Sequence, residues 1–247
     1  MFHFQEDPLL SYYSVPRAKS FLQTSYKTND IKQAEQYAYD NCYRFIYCLE
    51  HGELFLKQAQ QSPIAVQPVL AFYGLSHLLK ACLITVDPCY PASVQVLAHG
   101  LSSRKKKKQN YYFFQDEVKV QRHGLFIHFS EKMFHITHIE GTKLNMKTLL
   151  KQIPELSCFF HQHNECSPFL TLEKKEENSL PSELMIYYAL LYNLSMIARY
   201  ETEWWYELLK LMPGEEYPFI KQFLTISIHK TPLLIEDYLR TKNKTDP

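Results

Sequence analysis

Hydrophobic residues along this chain recur mainly at every third or fourth position, the period of amphipathic helices. The pattern predicts one long helix from about residue 30 to residue 61 and a second from about residue 65 to residue 86. Pro63 and Pro88 follow these segments and are expected to end them, because proline disfavours helical backbone in the residue before it. A third long helix is predicted after Ser182, a residue type suited to the N-cap position.

Residues 109–140 have a different pattern, with short aromatic and β-branched segments in which apolar and polar positions alternate. Val118 and Val120 show the alternation, and the pair His123-Gly124 suits a tight turn between two strands. We therefore predict a small antiparallel β insertion at about residues 109–140.

The whole chain, residues 1–247, is predicted to form a single domain of the mainly α class, a helical bundle that carries the β insertion. Residues 1–29 are aromatic and contain prolines at positions 8 and 16, so we predict an irregular N-terminal arm there. Helices are expected to resume after the insertion and to continue nearly to the C-terminus, because the three- and four-residue period returns.

The scarcity of glycine limits the possible function classes. Six glycines among 247 residues leave no G-x-G-x-x-G and no G-x4-G-K-[ST] motif, which argues against dinucleotide-binding and P-loop proteins. We expect no cofactor. The formal net charge of +1 creates no overall field, so any attraction to nucleic acid must come from a local patch.

Cysteine usage and the N-terminus indicate a reduced, cytoplasmic protein. The six cysteines form no C-x-x-C motif, and the first ten residues lack the basic start and apolar core of a secretory signal. Residues 64–86 approach the length of a membrane span, but His77 and Lys80 near the centre would be costly in lipid. We therefore expect a core helix of a soluble domain, and no membrane partner.

Three polar side chains share one face of the predicted second helix, and we call them the polar row: Tyr73, His77 and Lys80. Their spacings of four and three residues return to nearly the same angle on a helix. An unpaired ammonium within an apolar surface is costly, so Lys80 should reach solvent, pair with a carboxylate such as Glu50 or Glu201, or bind an anion.

Arg44 and His51 form a second candidate site, because residues seven apart share one face of a helix. An arginine can hold an RNA phosphate while a histidine transfers a proton of the ribose hydroxyl. The pair would then be catalytic in a metal-independent ribonuclease. The alternative is a surface arginine that pairs with Glu50 or Asp40.

A run of five cations, Arg104 to Lys108, precedes the aromatic residues Tyr111 to Phe114. Proteins use this mixture to bind phosphates and stack bases, but a solvated loop beside core-facing aromatic residues fits the pattern as well. The candidate ligand-binding residues in and near this run are His99, Arg104, Lys105 and Lys106.

The segment CFFHQHNEC contains four residues of types that bind zinc, in the order C-x2-H-x-H-x2-C: Cys158, His161, His163 and Cys166. This spacing is tighter than that of familiar zinc modules. A histidine-rich loop explains the segment equally well, so we treat metal binding here as a weak candidate.

Three segments resemble the YaaC-like proteins of Gram-positive bacteria: PVLAFYGLSHLLKACLITVDPCYP, HGLSSRKKKKQNYYFFQDEVKVQRHGLF and MIARYETEWW. The resemblance runs over nearly the whole chain and implies a cytosolic bacterial protein. It implies no particular biochemical activity.

The pattern LxFYGLxxLLKA, followed by a loop that ends in His-Gly, is similar to the helical HEPN superfamily, though more distantly. Active members are metal-independent ribonucleases with an R-x4-6-H motif, a spacing that only Arg44 and His51 fit here. The polar residue that usually follows the arginine is Phe45 in this chain, and the pair lies on the first long helix instead of a late one. Other members are non-catalytic and bind nucleotides, RNA or partner proteins.

These observations favour a non-catalytic HEPN-like protein that binds a phosphate-bearing ligand, either RNA or a nucleotide. The polar row would form the floor of the site and the basic run its electrostatic rim. One alternative is a ribonuclease that uses Arg44 and His51, acting as a homodimer. The other is a scaffold that binds a protein partner through exposed aromatic residues and has no small ligand.

Overall fold

The protein is described by a computed structural model that covers residues 8–103, 111–162, 180, 182–212 and 214–242. In these residues the chain is mainly helical, as predicted. The α-helices, in chain order, are α1 (Val15–Thr28), α2 (Ala34–Gln61), α3 (Gln67–Val86), α4 (Leu125–Phe134), α5 (Met146–Lys151), α6 (Ser157–Gln162), α7 (Glu183–Tyr200), α8 (Thr202–Lys210) and α9 (Glu216–Thr241).

Three short strands form the small antiparallel sheet that the sequence predicts: β1 (Leu101–Ser103), β2 (Glu117–Val120) and β3 (Lys143–Asn145). The order in space is β1-β2-β3, with Ser102 opposite Lys119 and Val118 opposite Leu144. Val118 and Val120 are buried while Lys119 between them is exposed, so their alternation does mark a strand with one face on the core.

The predicted extent of the β insertion is wrong in two respects. The pair His123-Gly124 does not form a hairpin turn, because α4 begins directly after Gly124. The buried residues of α4 include Leu125, Phe126 and Phe129, whose three- and four-residue spacing belongs to a helix. Strands β1 and β3 lie outside residues 109–140, so the sheet is assembled from segments far apart in sequence.

The N-terminal arm predicted for residues 1–29 is also corrected, since α1 occupies most of its described part. Pro16 lies in the first turn of α1, where a missing backbone N–H costs nothing. Phe21, Leu22 and Tyr26 are buried, and the Tyr26 hydroxyl donates to the Ile84 carbonyl at the end of α3 over 2.8 Å. The arm is therefore an integral helix of the bundle.

Helix α3 lies at the centre of the bundle and packs against α2, α7 and α9. It is long and apolar enough to cross a membrane by length and composition, and most of its residues are buried inside the protein. Its apolar surface is covered by other helices of the same chain, as expected for a core helix.

Two glycines let α2 and α3 approach each other closely. A Cβ atom built on Gly52 would lie 2.6 Å from Leu78 Cγ, and one built on Gly74 would lie 3.0 Å from the Gly52 carbonyl oxygen. These distances are shorter than ordinary van der Waals contacts. Larger residues at either position would therefore push the two helices apart.

A second close approach fixes the segment before β1. Gly100 and Gly124 both have positive φ angles, 81° and 125°, and a Cβ on Gly124 would lie 2.3 Å from the Gly100 backbone nitrogen. The crossing aligns hydrogen bonds to the His99 carbonyl, which accepts from the Phe126 N–H (3.1 Å) and the Tyr188 hydroxyl (2.9 Å). The backbone of His99 is thus held by α4 and α7.

Replacing Gly74 with alanine should destabilise the protein despite the higher helix propensity of alanine. We expect the free energy of unfolding to fall by about 1–2 kcal/mol, because overpacking against the Gly52 backbone costs up to about 3 kcal/mol and a propensity gain of roughly 1 kcal/mol offsets only part of it. Denaturant unfolding measures the change. The control Gln60→Ala, at an exposed position of α2, should change the free energy of unfolding by about 0.5 kcal/mol or less. An unchanged or more stable Gly74→Ala variant would contradict the close packing.

Candidate functional site

The polar row lies along a partly exposed edge of α3, and all three of its side chains are half-buried. Helix α2 adds His51 to it, because the His51 and His77 rings are in edge contact with centroids 4.6 Å apart. Phe55 of α2 stacks on His77 at 5.9 Å and contacts Tyr73 at 6.0 Å. One residue of the second predicted site therefore joins the first.

Lys80 is half-buried and forms no ion pair with a carboxylate among the residues that the structure describes. The pairings with Glu50 or Glu201 that the sequence left open are not formed. The charge of Lys80 adds to the effect of burial, which is the main cause of the lowered pKa of both His77 and His99. A cation without a carboxylate partner has the chemistry to pair with a negatively charged group.

His99 and Arg199 extend the site toward α7. The His99 ring packs against Phe72 at 5.0 Å, and the Arg199 Nη1 donates to the Tyr73 hydroxyl over 3.3 Å. Arg199 also donates to the Ser195 carbonyl and, within the described residues, forms no ion pair with a carboxylate. Arg199 is thus a second cation at the polar row, and like Lys80 it lacks a carboxylate partner among the described residues.

Sequence reasoning missed Arg199, although a signal existed. It is the only cation in the segment from Glu183 to Tyr200, which is otherwise apolar and aromatic with few polar residues. Its position relative to Tyr73 depends on how α7 packs on α3, and no local pattern contains that information.

Burial and neighbouring cations keep two imidazoles of the site neutral. Burial, then Lys80 and then His51 lower the pKa of His77 to about 4. Burial, Arg199 and Lys80 lower the pKa of His99 as well. At neutral pH each ring can therefore donate one hydrogen bond and accept another, while Lys80 and Arg199 supply positive charge.

A groove of about 450 Å³ opens beside the row, and we call it the histidine groove. It is lined by Tyr47, Cys48, Glu50, His51, Leu54 and His77. One carboxylate, Glu50, is exposed in this groove and two imidazoles form its wall.

Arg44 binds other groups than the carboxylates of Glu50 and Asp40 that the sequence suggested as its partners. Its Nη1 donates to Asn41 Oδ1 over 2.9 Å, and its Nη2 donates to the Tyr90 carbonyl. It forms no ion pair with Glu50 or Asp40. Arg44 thus ties α2 to the segment after α3, and His51 faces His77.

Two sets of candidate residues lie wholly or partly outside the described residues. Arg104, Lys105 and Lys106 of the basic run lie outside them, and so do His163 and Cys166 of the zinc candidate. Cys158 and His161 of the zinc candidate are both exposed on α6. Within the described ranges, no group of three or more histidine, cysteine, aspartate or glutamate residues could hold a metal ion.

A second cavity, of about 310 Å³, lies between the α7–α8 corner and the sheet, and we call it the aromatic pocket. It is lined by Ser103, Tyr111, Asp116, Met196, Ile197, Tyr200, Glu201 and Trp204. Tyr111 stacks on Trp204 with ring centroids 5.1 Å apart and planes inclined by 12°. The Tyr111 hydroxyl donates to buried Asp116 over 2.8 Å, and burial together with that carboxylate raises the pKa of Tyr111.

His77 should remain neutral at mildly acidic pH, and its titration should respond to Lys80. We expect an NMR titration of His77 near pH 4 and a rise of its pKa in Lys80→Met, because the like charge is removed. The charge control Lys210→Met, on the exposed face of α8, should leave it unchanged. A His77 pKa near 6.5 in the wild-type protein would contradict the burial of the ring.

The lowered pKa of His77 also predicts how stability depends on pH. Between about pH 6.5 and pH 4 the unfolded chain binds more protons at this residue than the folded protein does. The contribution of neutral His77 is therefore present above pH 6.5 and is lost as the pH falls toward 4. Unfolding of wild type and His77→Gln across this range should show a shallower pH dependence in the variant.

The chain matches a known protein family. The model of the family described as YaaC-like Protein matches residues 10–181 and 159–239, so the matched ranges together run from residue 10 to residue 239. No curated protein matches the chain. No solved structure matches it either.

Proposed function

The chain belongs to the YaaC-like protein family, and from the site on α3 we propose that it is a non-catalytic, HEPN-like cytoplasmic protein that binds a phosphate-bearing ligand, either RNA or a nucleotide. The observation that carries the proposal is the pair of cations Lys80 and Arg199. Neither has a carboxylate partner among the described residues, and Arg199 donates to the hydroxyl of Tyr73, which shares the polar row with Lys80.

Electrostatics favours an anionic ligand at this place. A half-buried ammonium is stabilised when a negative group approaches it, and charge-assisted hydrogen bonds to phosphate are stronger than those between neutral groups. The neutral imidazoles of His77 and His99 can each donate one further hydrogen bond to phosphate oxygens. The Tyr73 hydroxyl, already held by Arg199, supplies a polar group at the end of the row.

The contacts of Arg44 support the non-catalytic variant of the proposal. Both terminal nitrogens of its guanidinium donate to protein oxygens, one on Asn41 and one on the Tyr90 backbone. A catalytic arginine in an R-x4-6-H ribonuclease would need to reach the RNA phosphate. The HEPN likeness itself remains part of the proposal and is supported by the helical architecture and by the spacing of Arg44 and His51.

Lys80→Ala should weaken the binding of phosphate-bearing ligands about tenfold or more, because a hydrogen bond to a charged group contributes roughly 1.5–3 kcal/mol. Equilibrium binding of wild type and variant to a panel of RNA oligonucleotides and nucleotides, at two salt concentrations, measures this loss. Wild-type affinity should fall as salt rises, with a smaller slope in the variant. The exposed Lys210→Ala serves as the control of equal charge change.

Four results would contradict the proposal. Equal binding by wild type and Lys80→Ala, or no binding to any ligand of the panel, would remove the phosphate site. Cleavage of labelled RNA in the presence of a chelator, lost in His51→Ala, would replace it with the ribonuclease alternative. Recovery of one stoichiometric protein partner without nucleic acid would favour the scaffold.

A further inference from the structure

Arg199 connects the phosphate site to the aromatic pocket. Its guanidinium carbon lies 5.8 Å from the centroid of the Tyr73 ring and 5.1 Å from that of the Tyr200 ring. Tyr73 belongs to the polar row, and Tyr200 lines the pocket. A ligand with an anionic end and a flat end could therefore reach both sites across this one side chain.

The walls of the aromatic pocket suit a flat ring. Tyr200 is 62% exposed, so much of its ring is open to a ligand, and Trp204 is backed by its stack on Tyr111. Aromatic faces bind nucleobases by stacking, and a cavity of about 310 Å³ lies in the range of small-ligand pockets. Met196 and Ile197 supply apolar lining around the ring.

The two carboxylates of the pocket have different roles. Asp116 is buried and accepts from the Tyr111 hydroxyl, the Asn193 amide and the Glu117 backbone N–H, so it is built into the wall. Glu201 is half-buried, and its carboxylate makes no hydrogen bond or ion pair with any other described residue. Glu201 is thus the acceptor that a ligand would meet.

We propose that the aromatic pocket binds a guanine base, stacked on Tyr200 or Trp204, with Glu201 accepting hydrogen bonds from its N1–H and N2–H groups. A carboxylate can accept two parallel hydrogen bonds, and the Watson–Crick edge of guanine presents two adjacent donors. Adenine presents one amino group beside a ring acceptor, which would face the carboxylate unfavourably. The phosphate of the same nucleotide would lie on Arg199 and Lys80, so this part rests on the proposed function.

A cationic ligand fits the pocket less well than a neutral base. Arg199 already lies over the Tyr200 ring, and its charge would repel an ammonium group that approached the same ring. A neutral heterocycle with N–H donors meets no such repulsion and still satisfies Glu201.

The test compares ligands that differ by one chemical group. Binding of GMP, IMP, AMP, guanosine and ribose 5-phosphate to the full chain is measured by calorimetry and by tryptophan fluorescence, since Trp204 is one of two tryptophans. GMP should bind at least about tenfold more tightly than AMP, because a bidentate base contact discriminates by roughly that factor or more. IMP, which lacks the N2 amino group, should fall between them. Binding of a short RNA with a terminal guanosine, measured in parallel, shows whether the pocket accepts guanine from a free nucleotide or from the end of an RNA chain.

Substitutions at two residues assign the contacts. Glu201→Gln should weaken GMP binding about tenfold and remove the preference over AMP, because an amide cannot accept both hydrogen bonds. Trp204→Ala should weaken GMP and AMP alike, and Trp204→Phe should restore part of the affinity by restoring a stacking face. The controls Glu203→Gln and Tyr206→Ala, exposed positions of α8 outside the pocket, should bind as wild type does.

The outcomes separate this inference from the proposed function. If ribose 5-phosphate, AMP and GMP bind equally and both pocket variants behave as wild type, the phosphate site stands and the guanine pocket is wrong. If guanosine binds as tightly as GMP and Lys80→Ala has no effect, the pocket stands and the phosphate site is wrong. If no nucleotide or RNA binds, both are wrong.

Discussion

The close crossing of α2 and α3 is the constraint on which the site depends. Gly52 and Gly74 allow the two helix backbones to meet without intervening side chains. His51 immediately precedes the first glycine, and His77 follows the second by three residues, so the same crossing brings their rings into contact. Without it the histidine groove would have no second wall, and His77 would lose its contact with His51.

Burial determines the chemistry of the residues gathered there. Helix α3 is covered by α2, α7 and α9, and its polar edge remains partly accessible. At and near that edge the imidazoles of His77 and His99 are held neutral by burial and nearby cations, and Lys80 and Arg199 have no carboxylate partner in the described part of the chain. The guanidinium of Arg199 also lies over the ring of Tyr200. Tyr200 lines the aromatic pocket, which offers stacking faces and the carboxylate of Glu201.

The helical periodicity was sufficient to predict the long helices, because each buries one continuous apolar face whose spacing is local in sequence. The prediction failed for α1 and α4. In α1, aromatic residues and a proline led to the prediction of an irregular arm, and in α4 a His-Gly pair led to the prediction of a hairpin. In both segments the apolar residues do repeat at helical spacing. Contacts with distant residues then hold these helices in the bundle, such as that of Tyr26 with Ile84.

The sequence by itself determined the helical class, the small sheet and the polar row, since each depends on residue type and on spacing within one segment. Only the tertiary structure decided that His51 meets His77, that Arg44 binds the Tyr90 carbonyl, and that Arg199 lies between Tyr73 and Tyr200. These contacts join residues up to 126 positions apart. The relative placement of packed helices, which depends on the shapes of both surfaces at each crossing, is not encoded in any single segment.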